Sequence, residues 1–201
     1  MNTGFDLSRV GAGFADPVTA SQAVFRDSLE ALSQPGQLVD ILSTAEAPAG
    51  VHAASCALLL ALLDQDTRLW LSPALASGGA PGYFRFHTGC TLAAEPASAD
   101  FALVAEPSEL PALEVFAAGS EAYPDRAATL VVQVATLEAG RGWTLSGPGI
   151  RSTRCLSVGG LGEGFVAQWA QNRRGFPCGV DVFITCGARI AGLPRTTRLE
   201  A

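Results

Sequence analysis

Short apolar runs rich in branched residues alternate along this chain with segments of helical periodicity, and that alternation leaves few folds open. FALVAE (Phe101 to Glu106), ATLVVQVATL (Ala128 to Leu137), VDVFIT (Val180 to Thr185) and ARIAGL (Ala188 to Leu193) read as strands. RLWLS (Arg68 to Ser72) and QLVDILS (Gln37 to Ser43) add two more. The first helix is expected after Asp16-Pro17, an N-cap followed by a proline in the first turn. Val18, Ser21, Phe25, Ser28, Leu29 and Leu32 fall near one face of it, and Ser33-Gln34-Pro35-Gly36 ends it. Further helices are expected over Val51 to Leu63, Pro107 to Phe116 and Gly164 to Arg173. YFRFHTG (Tyr83 to Gly89) reads as a helix end or an edge strand, and GWTLSGPGI is expected to pair with ATLVVQVATL across Glu138-Ala139-Gly140-Arg141. The pattern predicts an α/β fold with three α/β/α layers around a mixed sheet. A length of 201 residues predicts one domain over residues 1–201.

The charge inventory removes several functions. Only 16% of residues are charged against 48% hydrophobic, and the net charge is −6. No basic face is available for nucleic acid. The longest apolar run, CALLLALL (Cys56 to Leu63), is far shorter than the ~20 residues of a membrane span. The opening MNTGFDLSRVGAGF carries no export-signal pattern. All 13 basic residues are arginine, so neither a Schiff base with pyridoxal phosphate nor a Walker A phosphate loop has its lysine. The five cysteines include no CxxC pair and there are only two histidines, which argues for reduced thiols in the cytoplasm and against a metal site. So thin a charged surface also fits a chain partly covered by a partner, although abundant alanine raises the hydrophobic count as well.

The motifs that suggest chemistry each have a simpler reading. Asp64 and Asp66 resemble paired carboxylates, yet a DxDT turn between helix and strand uses the same residues. Cys186 with His87 is the one plausible thiol–imidazole pair, although Cys186 ends an apolar strand. The glycines at 159, 160, 162 and 164 miss the GxGxxG spacing because Phe165 holds its last position. Arg85, His87 and Thr88 lie together, as do Arg195, Thr196, Thr197 and Arg198. Both groups carry donors for a phosphate or phosphonate, or for a carboxylate at an interface. At a helix C-terminus, Arg85 and His87 instead satisfy the dipole. For Arg195, the lack of a nearby histidine or phosphate loop favours a carboxylate partner. Its hairpin of VDVFIT and ARIAGL is expected to end at Pro194, at one edge of the sheet, with the guanidinium donors free and Thr196 and Thr197 fixing the chain's exit.

FRDSLEALSQPG (Phe25 to Gly36), LLDQDTRLWLS (Leu62 to Ser72), RFHT (Arg85 to Thr88), LSGPGI (Leu145 to Ile150), FPCGVD (Phe176 to Asp181) and TCGARIAGLPRTT (Thr185 to Thr197) also occur in this order in one known family. In them the chain resembles the PhnH family of the bacterial carbon–phosphorus lyase system. The resemblance implies a fold similar to pyridoxal-phosphate-dependent transferases but without the cofactor, which agrees with the missing lysine. It implies a homodimer when isolated, and a core complex with PhnG, PhnI and PhnJ. That complex would displace adenine from ATP with an alkylphosphonate, giving α-D-ribose 1-methylphosphonate 5-triphosphate. The resemblance transfers no catalytic residue and no metal. Candidate ligand or interface residues are therefore Arg85, His87, Arg195, Thr196 and Thr197, with a nucleotide or phosphonate as the alternative ligand.

Overall fold

A computed structural model describes residues 10–201, so the first nine residues of the stretch read for an export signal lie outside the described residues. In chain order the main elements are α1 (Pro17–Ser33), β1 (Val39–Asp40), α2 (Ala53–Leu62), β2 (Arg68–Leu71), α3 (Pro73–Ala76), α4 (Ala80–Thr88), β3 (Thr91–Leu92), β4 (Phe101–Val104), β5 (Thr129–Gln133), β6 (Leu137–Ser146), β7 (Arg154–Val158), α5 (Glu163–Arg174), β8 (Asp181–Cys186), β9 (Arg189–Leu193) and β10 (Arg198–Glu200). Seven strands form a mixed sheet in the order β1-β9-β8-β5-β4-β2-β3, and three form a second sheet, β10-β6-β7. In the large sheet β3, β2, β4, β5 and β8 are parallel, while β9 runs antiparallel to both β8 and β1.

The central strands are apolar on both sides because both faces of the sheet are covered. In β5, Leu130 and Val132 point into one core while Val131 points into the other. The Val131 side packs against α1, α2 and α4. Residues Ala54 to Leu59 of α2 are all buried, as expected of a helix that is hydrophobic all round. α1 crosses β9 closely enough that a Cβ at Gly192 would collide with the Ala31 carbonyl. The opposite face is covered by α5 and by the small sheet, through Trp143, Leu145, Leu156, Phe165, Trp169 and Leu199. The expected second helical layer is thus half sheet.

Several boundaries and faces differ from the sequence reading. GWTLSGPGI does not pair with ATLVVQVATL. Its β6 residues pair with β7 and β10 instead, bulging between Ala139 and Trp143. The parallel neighbours β4 and β8 already occupy both edges of β5. Strand QLVDILS shrinks to Val39–Asp40, and the helix expected over Pro107 to Phe116 consists of two 3-10 turns, Pro107–Glu109 and Leu113–Val115. YFRFHTG belongs to α4, which ends at Gly89 with positive φ. The Asp16 N-cap is present, with Oδ1 accepting from the Thr19 amide at 3.3 Å. The buried face of α1, however, is Val24, Ser28 and Ala31, whereas Val18, Phe25 and Leu29 are 81%, 46% and 50% exposed. Small residues face the sheet here because the close crossing at Gly192 leaves no room for larger ones.

Candidate functional site

The β8–β9 hairpin sets the position of Arg195. Val182 pairs with Leu193, after which Pro194 ends the ladder. β9 is an interior strand of the sheet, so the tail does not leave from a sheet edge; it continues into β10 and joins β6. The Arg195 donors are not free. Nε reaches Asp181 Oδ1 at 3.1 Å, Nη2 reaches Oδ2 at 2.6 Å, and the backbone amide adds a third bond to Oδ1 at 2.7 Å. Nη1 donates to the Pro124 carbonyl at 3.0 Å and the Pro177 carbonyl at 3.2 Å. The partner is the carboxylate that the sequence favoured, but it belongs to the same hairpin. A planar fork with five donors can hold a carboxylate and two carbonyls together, which lysine cannot do. Arg195 thereby ties three segments of the chain to one another.

Thr196 and Thr197 act mainly through their backbones. The Thr196 carbonyl accepts from Arg173 Nε at 3.4 Å, and the Thr197 carbonyl accepts from Trp169 Nε1 at 2.9 Å. The Thr197 amide donates to the Pro194 carbonyl at 2.8 Å, while its buried hydroxyl has no partner among the described residues. This cluster faces α5 and the small sheet. Arg85 and His87 lie across the large sheet in the last turn of α4. His87 Nε2 is 3.0 Å from the Gly11 carbonyl, and its ring packs on Tyr83 at 4.5 Å between centroids. Arg85 is exposed beside a cavity of about 390 Å³ that Phe86, Gly89, Cys90 and Thr91 also line. The two groups therefore do not share a pocket.

The remaining pairs are also separated or occupied. β8, which carries Cys186, and β3, next to His87 in the chain, stand four strand positions apart, on the order of 19 Å. Cys186 Sγ contacts the Ala135 carbonyl at 3.4 Å. Asp64 Oδ1 accepts from the Asp66 amide at 3.0 Å, the expected turn chemistry. Among the described residues no helix is long and apolar enough to cross a membrane, and no three His, Cys, Asp or Glu side chains are placed to hold a metal.

Sequence reasoning missed a polar cluster at the C-terminal ends of the parallel strands. Open α/β sheets bind ligands there, where neighbouring connections leave in opposite directions. Here β2 leads outward to β3 while β4 leads inward to β5, and Ser72, Gln133, His52 and Glu109 gather around that divide. All four are engaged with the protein itself. Gln133 accepts from the His52 amide at 2.6 Å and donates to the Gly50 carbonyl at 2.8 Å. Ser72 Oγ donates to Glu109 and accepts from the Ala105 amide at 3.0 Å, and Glu109 also holds the Ala74 amide. Two of its residues stand at strand ends, Ser72 just after β2 and Gln133 as the last residue of β5, but nothing in the sequence joins them to His52 and Glu109. Burial pushes the Cys56 thiol, which faces the Tyr83 hydroxyl at 3.5 Å, up to about 11.

Residues 12–200 match the PhnH family, described as a bacterial phosphonate metabolism protein. The chain is 42% identical over 188 residues to the α-D-ribose 1-methylphosphonate 5-triphosphate synthase subunit PhnH of Rhizobium meliloti, covering 93% of this chain and 94% of that protein. It is 31% identical over 180 residues to HtxG of Stutzerimonas stutzeri, named as a C–P lyase subunit protein, covering 89% and 85%. Agreement over nearly the whole length of both chains makes this protein a member of the PhnH family.

Proposed function

We propose that the chain is a carbon–phosphorus lyase subunit that acts with PhnG, PhnI and PhnJ. In that role it is required for forming α-D-ribose 1-methylphosphonate 5-triphosphate from ATP and an alkylphosphonate, and it supplies no catalytic group itself. The near full-length identity to the Rhizobium meliloti subunit carries this reading. The internal hydrogen bonds that fill the end of the parallel strands support a structural role, as does the separation of Arg85 and His87 from Arg195 and Thr197. That separation also weighs against a nucleotide or phosphonate pocket built from those four residues. On this reading the chain is one domain with a transferase-like fold that needs no pyridoxal cofactor, working in the cytoplasm with its five thiols reduced. Co-expression of the tagged chain with the other three subunits should yield a stable complex. Recovery of the tagged chain alone, with all three partners soluble, would refute the proposal.

The exposed stripe on α1 makes self-association part of the proposal. Val18, Phe25 and Leu29 are spaced seven and four residues apart and so lie along one line of the helix. A symmetric dimer of ordinary size buries roughly 1,200–2,000 Å² in total. Sedimentation of the isolated chain at micromolar concentration is expected to show a dimer, and Phe25→Ser with Leu29→Ser a folded monomer. A wild-type chain that sediments as the 20.7 kDa monomer would rule this out.

A further inference from the structure

A cavity of about 430 Å³ opens between two walls on the α5 side of the molecule. One wall runs from Ala112 through Glu114 to Ala118, and the other from Gly175 to Gly179; Gln168 and Gln171 of α5 form the floor. Arg195 ties the second wall to the segment that follows the first, because the same Nη1 donates to Pro124 beyond the first wall and to Pro177 within the second. The Gly179 amide adds a direct bond to the Ala118 carbonyl at 2.8 Å. Val115 and Phe176 on these walls, and Tyr123 just beyond the first, are exposed apolar side chains.

The charges near the opening are uneven. Glu114 lines the cavity and has no ion-pair or hydrogen-bond partner among the described residues; Glu121 and Asp125 are exposed along the segment that follows it. The cation of that segment, Arg126, already lies over the Tyr123 ring at 4.4 Å, and Arg173 turns away to the Thr196 carbonyl. An apolar rim around an unpaired carboxylate suits a long side chain with an aliphatic stem and a cationic end. We propose that this cavity is the socket for an arginine presented by a partner polypeptide, with Glu114 as its counter-ion and Phe176 and Val115 covering its stem. The inference rests on the chain being a complex subunit and adds which surface docks and what it recognises. It also gives Arg195 its functional consequence: it positions the walls and does not itself touch the partner.

Cys178 lines the cavity and is half-exposed, so its thiol reports occupancy. The full chain, free and in the complex reconstituted with the other subunits, is treated with iodoacetamide and alkylation at Cys178 is followed by mass spectrometry. The rate at Cys178 should fall at least ~10-fold in the complex, and Glu114→Arg should weaken assembly by at least ~10-fold with an unchanged melting temperature. Glu114→Gln should weaken it less. Assembly in which Cys178 reacts at the free rate, or in which Glu114→Arg assembles like wild type, overturns the inference while leaving the subunit reading intact. Failure of the complex to form at all removes the subunit reading and this inference together. Protection of Cys178 in the free chain by ATP or methylphosphonate would assign the cavity to a small molecule and overturn the docking role.

Discussion

Arg195→Ala should lower the folding stability by about 3 kcal/mol and the melting temperature by roughly 6–12 °C. The side chains of Arg195 and Asp181 are 13% and 22% exposed, so removing the guanidinium leaves a largely enclosed carboxylate and two carbonyls without their donor. Breaking a fully buried pair costs about 3–5 kcal/mol; the remaining exposure here places the loss at the low end of that range. Arg195→Lys should recover less than half of it, because an ammonium keeps the charge but cannot form the fork and reach both carbonyls. Thermal and urea denaturation measure this directly. A variant melting within about 2 °C of wild type would show that the arginine ties nothing together.

Trp169→Ala should be at least as damaging, at about 4 kcal/mol. The indole is fully buried, its Nε1 donates to the Thr197 carbonyl at 2.9 Å, and it is stacked on Phe165, which stacks on Trp143 with centroids 5.4 Å apart. This column joins α5, the small sheet and the strand that closes the chain. Trp169→Phe keeps most of the packing and removes the hydrogen bond, so about 1–2 kcal/mol is expected. Hydrogen exchange should accelerate first in β6, β7 and β10. Equal losses for phenylalanine and alanine would mean that the column contributes little packing energy.

How much of this was legible follows from what each residue's neighbours had to be. The hairpin of β8 and β9 is readable because consecutive strands pair locally and proline ends a ladder, and a carboxylate partner for Arg195 is readable because the sequence offers no nearby histidine or phosphate loop. That the carboxylate is Asp181 was not, since the two residues are 14 positions apart and meet only once the hairpin folds. β6 was misassigned because local pairing rules favour the preceding strand, whereas the edges of β5 had been taken by β4 and β8 from far along the chain. The buried face of α1 is rotated from the stripe that hydrophobicity marks, keeping Ser28 and part of Leu32 but not Val18, Phe25 or Leu29, because the close approach at Gly192 favours small residues. The polar cluster of His52, Ser72, Glu109 and Gln133 draws on four separate segments, and no local spacing announces it.

In the proposed role this chain is required for the phosphonate reaction without carrying its chemistry. The most direct measurement is release of adenine from ATP in the presence of methylphosphonate, by the purified partner subunits with and without this chain. No release is expected from this chain alone, release from the partners only when it is present, and normal release when Cys186 is replaced by serine or Arg85 by glutamine. Adenine release by the isolated chain, or full activity of the partners in its absence, would contradict it.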